Sequence, residues 1–328
     1  MREIIERCIE QCLEASCCNA DVRYDEPMSE HTTFKVGGPA DCWLLPRGDG
    51  FPRFSAALFR CARAAGNSGE SSRGIPVFIL GGGANIVVSD KGIRGIVLDT
   101  SAYSGQIANE EGVLSFRSGT SMDEAAECAA AAGLSGIEFL AGMPGTIGGA
   151  VWMNARCYGS EIADVLAWTE IIDFSVCAGD GGEPVITRIK TTDGFGYKRS
   201  PFQNNDQLIL AAGFKLKPAD ENRIRCVMES NRKDRQAKGH YRFPCAGSAF
   251  KNNHDFGKST GLIIDELGLR GFSHGGAQIA PFHGNIIINT GGATASDICG
   301  LMDETAVKVR EATGFILEPE ILFIGEWD

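Results

Sequence analysis

Ile5, Cys8, Ile9, Cys12 and Leu13 recur at helical spacing and predict an amphipathic helix over residues 2–18. Between 29 and 46 the pattern becomes strand, Gly-Gly-Pro turn and strand, the second strand starting with the apolar run Cys42-Trp-Leu-Leu. A helix is expected over 51–65, then a polar loop over 66–74. Val77-Phe-Ile-Leu80, Ile86-Val-Val88 and Gly95-Ile-Val-Leu98 read as buried strands. Ser121-Met-Asp-Glu124 matches a capping box before an alanine-rich helix that Gly133 ends. Ala150-Val-Trp-Met reads as a further strand, and strand-like runs continue to about Leu216. Residues 221–238 are charged and helical. Ser296 is placed to cap a helix whose apolar face is Ile298, Leu301, Met302, Thr305 and Val309, closed by Gly314.

Composition narrows the class. Of 328 residues 42 are glycine, about 13% where 7% is usual, but they keep no three-residue period and only 12 prolines accompany them. Collagen and wholesale disorder are excluded. No apolar run is long enough to span a bilayer, and Met1-Arg-Glu-Ile-Ile-Glu-Arg lacks a signal-peptide core, so a cytoplasmic protein is expected. The formal charge of −11, without a basic block, argues against nucleic acid and anionic membrane. The 12 cysteines contain no C-x-x-C pair, and the five histidines form no metal-binding pattern. Reduced, mostly buried thiols and no metal site are expected.

Two glycine loops are the first chemical signal. Gly81-Gly-Gly-Ala-Asn85 lies between strands, and Gly142-Met-Pro-Gly-Thr-Ile-Gly-Gly149 precedes the apolar run at 150. Neither is a P-loop or a G-x-G-x-x-G fingerprint. Each alone reads as a turn or as a cradle of backbone amides for an anion. Two together favour a nucleotide or flavin diphosphate. Tyr197-Lys-Arg-Ser-Pro-Phe202 is either an anion site or a solvated basic turn. Ser248, between Gly247 and Ala249, either presents a bare hydroxyl or stabilises a turn. Glu320, in Leu317-Glu-Pro-Glu, is a paired structural carboxylate or a catalytic one, and Pro319 is expected to interrupt simple strand pairing there.

In this order the motifs resemble the UDP-N-acetylenolpyruvoylglucosamine reductase family. The likeness runs over about 29–325 and also takes in His31-Thr-Thr-Phe-Lys-Val-Gly-Gly-Pro-Ala-Asp, Asn154-Ala155, Ala246-Gly-Ser-Ala-Phe-Lys-Asn and Gly275-Gly-Ala-Gln. The resemblance implies an α+β protein: an N-terminal helix at 1–19, and an FAD-binding region of the vanillyl-alcohol-oxidase type at 20–218. That region would hold two α+β subdomains divided near 95–100, with a substrate-binding domain following at 219–328. It implies noncovalent FAD, NADPH as co-substrate and UDP-N-acetylglucosamine enolpyruvate as substrate, with no obligate protein partner. Gly81, Gly82, Gly83, Ala84, Asn85, Gly142, Met143, Pro144, Gly145, Thr146, Gly148 and Gly149 would hold the cofactor. By the same likeness Lys198, Ser248 and Glu320 are catalytic, and Tyr197, Arg199 and Asn252 contact substrate. Another flavin oxidase of the same superfamily, or a silent UDP-sugar or flavin-binding module, is the alternative.

Three departures from the family pattern stand out. Lys198 occupies the usual arginine position with Arg199 after it, and an extended strand would turn those two to opposite sides. Ala84 replaces a serine. Arg156 stands where a small residue is usual, as a second anion contact or a surface charge. The chain resembles the shorter type, without an insertion after Asn252.

Overall fold

The computed structural model describes residues 1–16, 18–65, 74–110, 112–175, 184–203 and 206–327. The expected loop at 66–74 therefore falls almost wholly outside the described residues. Two compact units form: residues 1–24, 41–82 and 95–232, and residues 25–40, 83–94 and 233–328. These units cut the chain elsewhere than at 218. Ile224 and Met228 of the helix Glu221–Ala237 are buried in the first unit's core, so the charged helix belongs there as far as Arg232.

The first unit has two hydrophobic clusters. In one, the buried face of Arg2–Ser16 (Ile5, Cys8, Ile9, Cys12) packs on Phe51–Ala64, whose Phe51, Phe54 and Leu58 are fully buried. Both helices lie on a four-stranded sheet in the order Asn19–Pro27, Pro39–Arg47, Ile93–Asp99, Val77–Leu80. Its last two strands are parallel, with Leu80 opposite Asp99. The other cluster backs a five-stranded antiparallel sheet, ordered Ile186–Ile189, Leu166–Asp173, Gln207–Lys215, Val113–Arg117, Gln106–Glu110. Gln207–Lys215 is buried over seven consecutive residues, as a central strand must be. Buried aromatics such as Phe116 and Phe214 contribute about 1.5–3 kcal/mol each.

Local chemistry sets the ends of the helices near the glycine loops. Ser121 caps Met122–Ala131, its Oγ accepting from the Glu124 amide at 3.1 Å. The run at 150 is not a strand. Residues Ile147–Trp152 form a short helix, because Thr146 caps it and Ile147, Ala150 and Val151 share a buried face. Three apolar side chains at i, i+3 and i+4 satisfy a helix as well as a short strand, and the cap decides.

The second unit is built on a three-stranded antiparallel sheet, Ser273–His274, Ala277–Ile279 and Ile287–Asn289. Helices Thr260–Glu266 and Ala295–Thr313 contribute Ile263, Ile264, Ile298, Leu301 and Val309 to its core. Thr294, not Ser296, caps the long helix, in a reciprocal box with Asp297. Ser296 is instead the second residue of that helix, and its amide and hydroxyl both donate to Asp90. Leu322–Ile324 pairs in parallel with Ile86–Val88, the strand that leaves the first glycine loop. Among the described residues, no helix is long and apolar enough to cross a membrane.

Candidate active site

In the first unit the two glycine loops touch backbone to backbone. A Cβ on Gly82 would come within 2.6 Å of Gly145 Cα, and one on Gly81 within 2.8 Å of Thr146 Oγ1. Gly83, in the second unit at φ 59, packs on its neighbours there: a Cβ would sit 2.0 Å from the His31 carbonyl. The Gly83 carbonyl accepts from the Thr33 amide at 3.1 Å. Close packing therefore requires all three glycines before any ligand is considered.

The second loop spends most of its amides internally. Gly142 N–H donates to Asp123 Oδ1 at 2.7 Å, Met143 to Leu140 O at 3.0 Å and Gly148 to Ser118 O at 2.8 Å. Gly149 donates to Thr146 Oγ1 at 3.4 Å. These four amides hold the loop in shape. Among the described residues, the amides of Gly82, Gly145 and Thr146 have no protein acceptor. Gly82 is exposed and Gly145 half-buried. A Cβ on Gly149 would meet only Thr146 Oγ1, at an ordinary 3.6 Å, so protein packing does not demand glycine there. Bare backbone with unspent donors fits a diphosphate. Met143 leans on the apolar core, Pro144 is exposed and Ala84 half-buried.

Asp123 anchors this loop. Burial raises its carboxyl, but Arg232 at 2.7 Å and the Gly142 amide outweigh that and hold it below the usual carboxylate range.

Tyr197 and Lys198 form the tip of a tight turn in the first unit, not an extended strand. Gly196 and Arg199 exchange both backbone hydrogen bonds at 3.0 Å, and Lys198 takes a left-handed φ of 56. The strand argument that set Lys198 and Arg199 on opposite sides does not apply to a turn. Lys198 is half-buried, while Tyr197 and Arg199 are exposed. Two asparagine and glutamine side chains pin the turn. Asn154, fully buried, donates to Gly196 O at 2.9 Å and accepts from the Ala163 amide at 3.0 Å. Gln203 Nε2 donates to Lys198 O at 3.2 Å and to Trp152 O at 2.9 Å. Sequence reading quoted Asn154 within a motif and gave it no task. Arg156 is exposed, 6.0 Å from the Tyr197 ring and 3.9 Å from Glu161, in the position of a surface charge.

In the second unit Ser248 and Glu320 lie on paired segments. Phe250 stands opposite Pro319, flanked by Lys251 N–H to Glu318 O and Glu320 N–H to Ala249 O, each at 2.9 Å. Pro319 does not interrupt this pairing, because it fills the position whose amide the ladder leaves unused. Glu320 is 8% exposed, while Glu318 faces water near Lys251. Ser248 is half-buried after Gly247 at φ 75. Asn85 Nδ2 donates to Glu320 O at 3.0 Å, tying the first glycine loop to the glutamate.

Asn285 was missed from sequence. Buried at 3% exposure, it clamps Phe250 through N–H to Oδ1 at 3.0 Å and Nδ2 to O at 2.7 Å. An asparagine in an apolar strand approach, Phe282-His-Gly-Asn285, is its one trace in the sequence. Asn252 accepts from the Thr260 amide at 2.9 Å, so part of its capacity stabilises the start of the following helix.

Comparison with known proteins gives the family. Residues 239–324 match the family model described as UDP-N-acetylenolpyruvoylglucosamine reductase, C-terminal domain, and residues 60–175 match an FAD binding domain. A reductase of that name from Treponema denticola is 37% identical over 319 residues, 93% of this chain and 94% of the relative. One from Borreliella burgdorferi is 38% identical over 298 residues, 91% of this chain and 93% of the relative. The crystal structure of the Thermus caldophilus reductase covers 94% of this chain and 100% of its own, at 29% identity and a TM-score of 0.70.

Proposed function

The chain belongs to the UDP-N-acetylenolpyruvoylglucosamine reductase family, and from that premise we propose how its own residues divide the work. It is an FAD-dependent, NADPH-linked oxidoreductase of peptidoglycan precursor synthesis, reducing UDP-N-acetylglucosamine enolpyruvate to UDP-N-acetylmuramate. Bound FAD would supply the two-electron redox chemistry that links NADPH oxidation to reduction of the enolpyruvyl group.

The unspent amides of Gly82, Gly145 and Thr146 hold the cofactor's phosphates. Lys198 faces a different demand: charge builds on the carbon beside the substrate carboxylate, and a fixed ammonium disperses it. A point charge suffices where no bidentate fork is present. Ser248 Oγ–H gives its proton to that carbon, and being half-buried it recovers one from solvent between turnovers. Glu320 is the buried carboxyl group set to face the developing enolate. Tyr197, Arg199 and Asn252 position the nucleotide sugar, and the cytoplasm is its setting.

The observation that carries this reading is the pairing of Ala249 with Glu320, with Asn85 bonded to the same glutamate. It puts the proton donor and the carboxyl on neighbouring backbones attached to a glycine loop.

The test is one anaerobic cycle followed by the visible spectrum. NADPH should bleach the yellow protein, and the enolpyruvyl sugar should restore the colour with stoichiometric product. A protein that stays bleached with the sugar but recolours rapidly in air is a flavin oxidase, and the proposal fails.

A further inference from the structure

Cys8 and Cys12 stand one turn apart on the buried face of Arg2–Ser16, and Cys61 meets them from Phe51–Ala64. Their three Sγ atoms all lie within 4.8 Å of one another. All three are free thiols, joined by no disulfide. A soft cation bonds sulfur at about 2.3 Å. Three sulfurs around it in trigonal or tetrahedral array stand roughly 3.8–4.0 Å apart, inside the 4.8 Å that bounds the three here. A disulfide would need about 2.05 Å.

Burial raises Cys8 and Cys61, and of the three only Cys12 is lowered. Cys12 is lowered by S–H donation from Cys8; burial opposes this, while Arg60 and Cys61 assist. Cys8 is pushed far up by the same bond and by burial, so it keeps its proton longest. A cation arriving at Cys12 displaces those shared protons into solvent. Cys8 and Cys12 are each 2% exposed, with Cys61 at the half-buried edge. Gln11 Oε1 lies 3.5 Å from Cys61 Sγ, offering a neutral oxygen on the open side. No carboxylate belongs to the cluster, so it selects against Mg²⁺ and Ca²⁺.

We propose that Cys8, Cys12 and Cys61 form a trithiolate site for a soft divalent d¹⁰ cation of the Zn²⁺ and Cd²⁺ class, clasping the first two helices together. The site is independent of the reductase chemistry and is invisible to spacing rules, because its third ligand comes from a separate helix.

Titrating the full-length, fully reduced protein with Cd²⁺ alone tests it. The thiolate-to-cadmium charge-transfer absorption should rise linearly and stop at one equivalent. Cys61→Ser should weaken binding by more than the roughly 100-fold that loss of an outer-shell partner costs. Cys226→Ser, at an exposed cysteine, should leave it unchanged. In the wild type, one equivalent of Cd²⁺ should also shield Cys61 from iodoacetamide, read by peptide mass spectrometry, which needs no variant to fold. No saturation at one equivalent, equal affinity in Cys61→Ser, or undiminished alkylation of Cys61 each overturns the proposal.

Discussion

Lys198 holds a left-handed backbone at the tip of its turn, a conformation that costs a non-glycine residue about 1 kcal/mol. Glycine would take that backbone without strain but would remove the ammonium. Lys198→Gly should therefore keep or slightly raise the melting temperature while reoxidation of the reduced flavin by the enolpyruvyl sugar falls sharply. Arg199→Ala, at the exposed neighbour, should do far less. Parallel loss of stability and activity in Lys198→Gly would contradict the assignment. Ser248→Ala should slow the sugar half-reaction by about 10²–10⁴-fold and spare flavin reduction by NADPH. Rapid-mixing absorbance separates the two half-reactions, and equal loss of both would remove Ser248 from the proton-donor role.

The second glycine loop and the helix Ile147–Trp152 behave as one element, sewn to Ser118, Thr120 and Asp123 by the loop's own amides. Removing the Asp123 carboxylate takes an acceptor from the Gly142 amide and also deprives Arg232 of a partner. Asp123→Ala should raise the FAD dissociation constant about tenfold by equilibrium fluorescence, since a loop not held in shape must be ordered on binding. Gly82→Ala asks for more, because its Cβ would strike Gly145 backbone. It should yield a folded protein that loses FAD on gel filtration. Retention of the yellow cofactor in both variants would separate this element from FAD binding.

Across the whole molecule, pH stability has an identifiable contributor in the second unit. Burial, with Arg235, His283 and Lys238 nearby, pushes His240 down to about 4. An unfolded histidine protonates near 6.5. Between those values unfolding takes up a proton, so stability falls as pH drops from about 6.5 toward 4. At pH 5 the protein is therefore less stable than at pH 8, with the neighbouring His283, lowered likewise by burial, adding in the same direction. His240→Gln should flatten the difference between the pH 5 and pH 8 unfolding midpoints, and an unchanged pH slope would assign the effect elsewhere.

Sequence alone placed helices over 2–18, 51–65 and 221–238, within two residues of those observed, and it pointed to both glycine loops, Ser248 and Glu320 as candidate chemical positions. Periodicity and motif order are local properties, legible before folding. The tertiary structure decided what distance along the chain conceals. It made the run at 150 a helix through the Thr146 cap, and it bent Tyr197-Lys198 into a turn held by the buried Asn154. It also spent four glycine-loop amides on protein acceptors, and it passed the chain between its units at 24/25, 40/41, 82/83, 94/95 and 232/233. Cys61 joins Cys8 and Cys12 for the same reason: hydrogen bonds and sulfur contacts depend on separation in space, and helix packing brings together residues the sequence keeps apart.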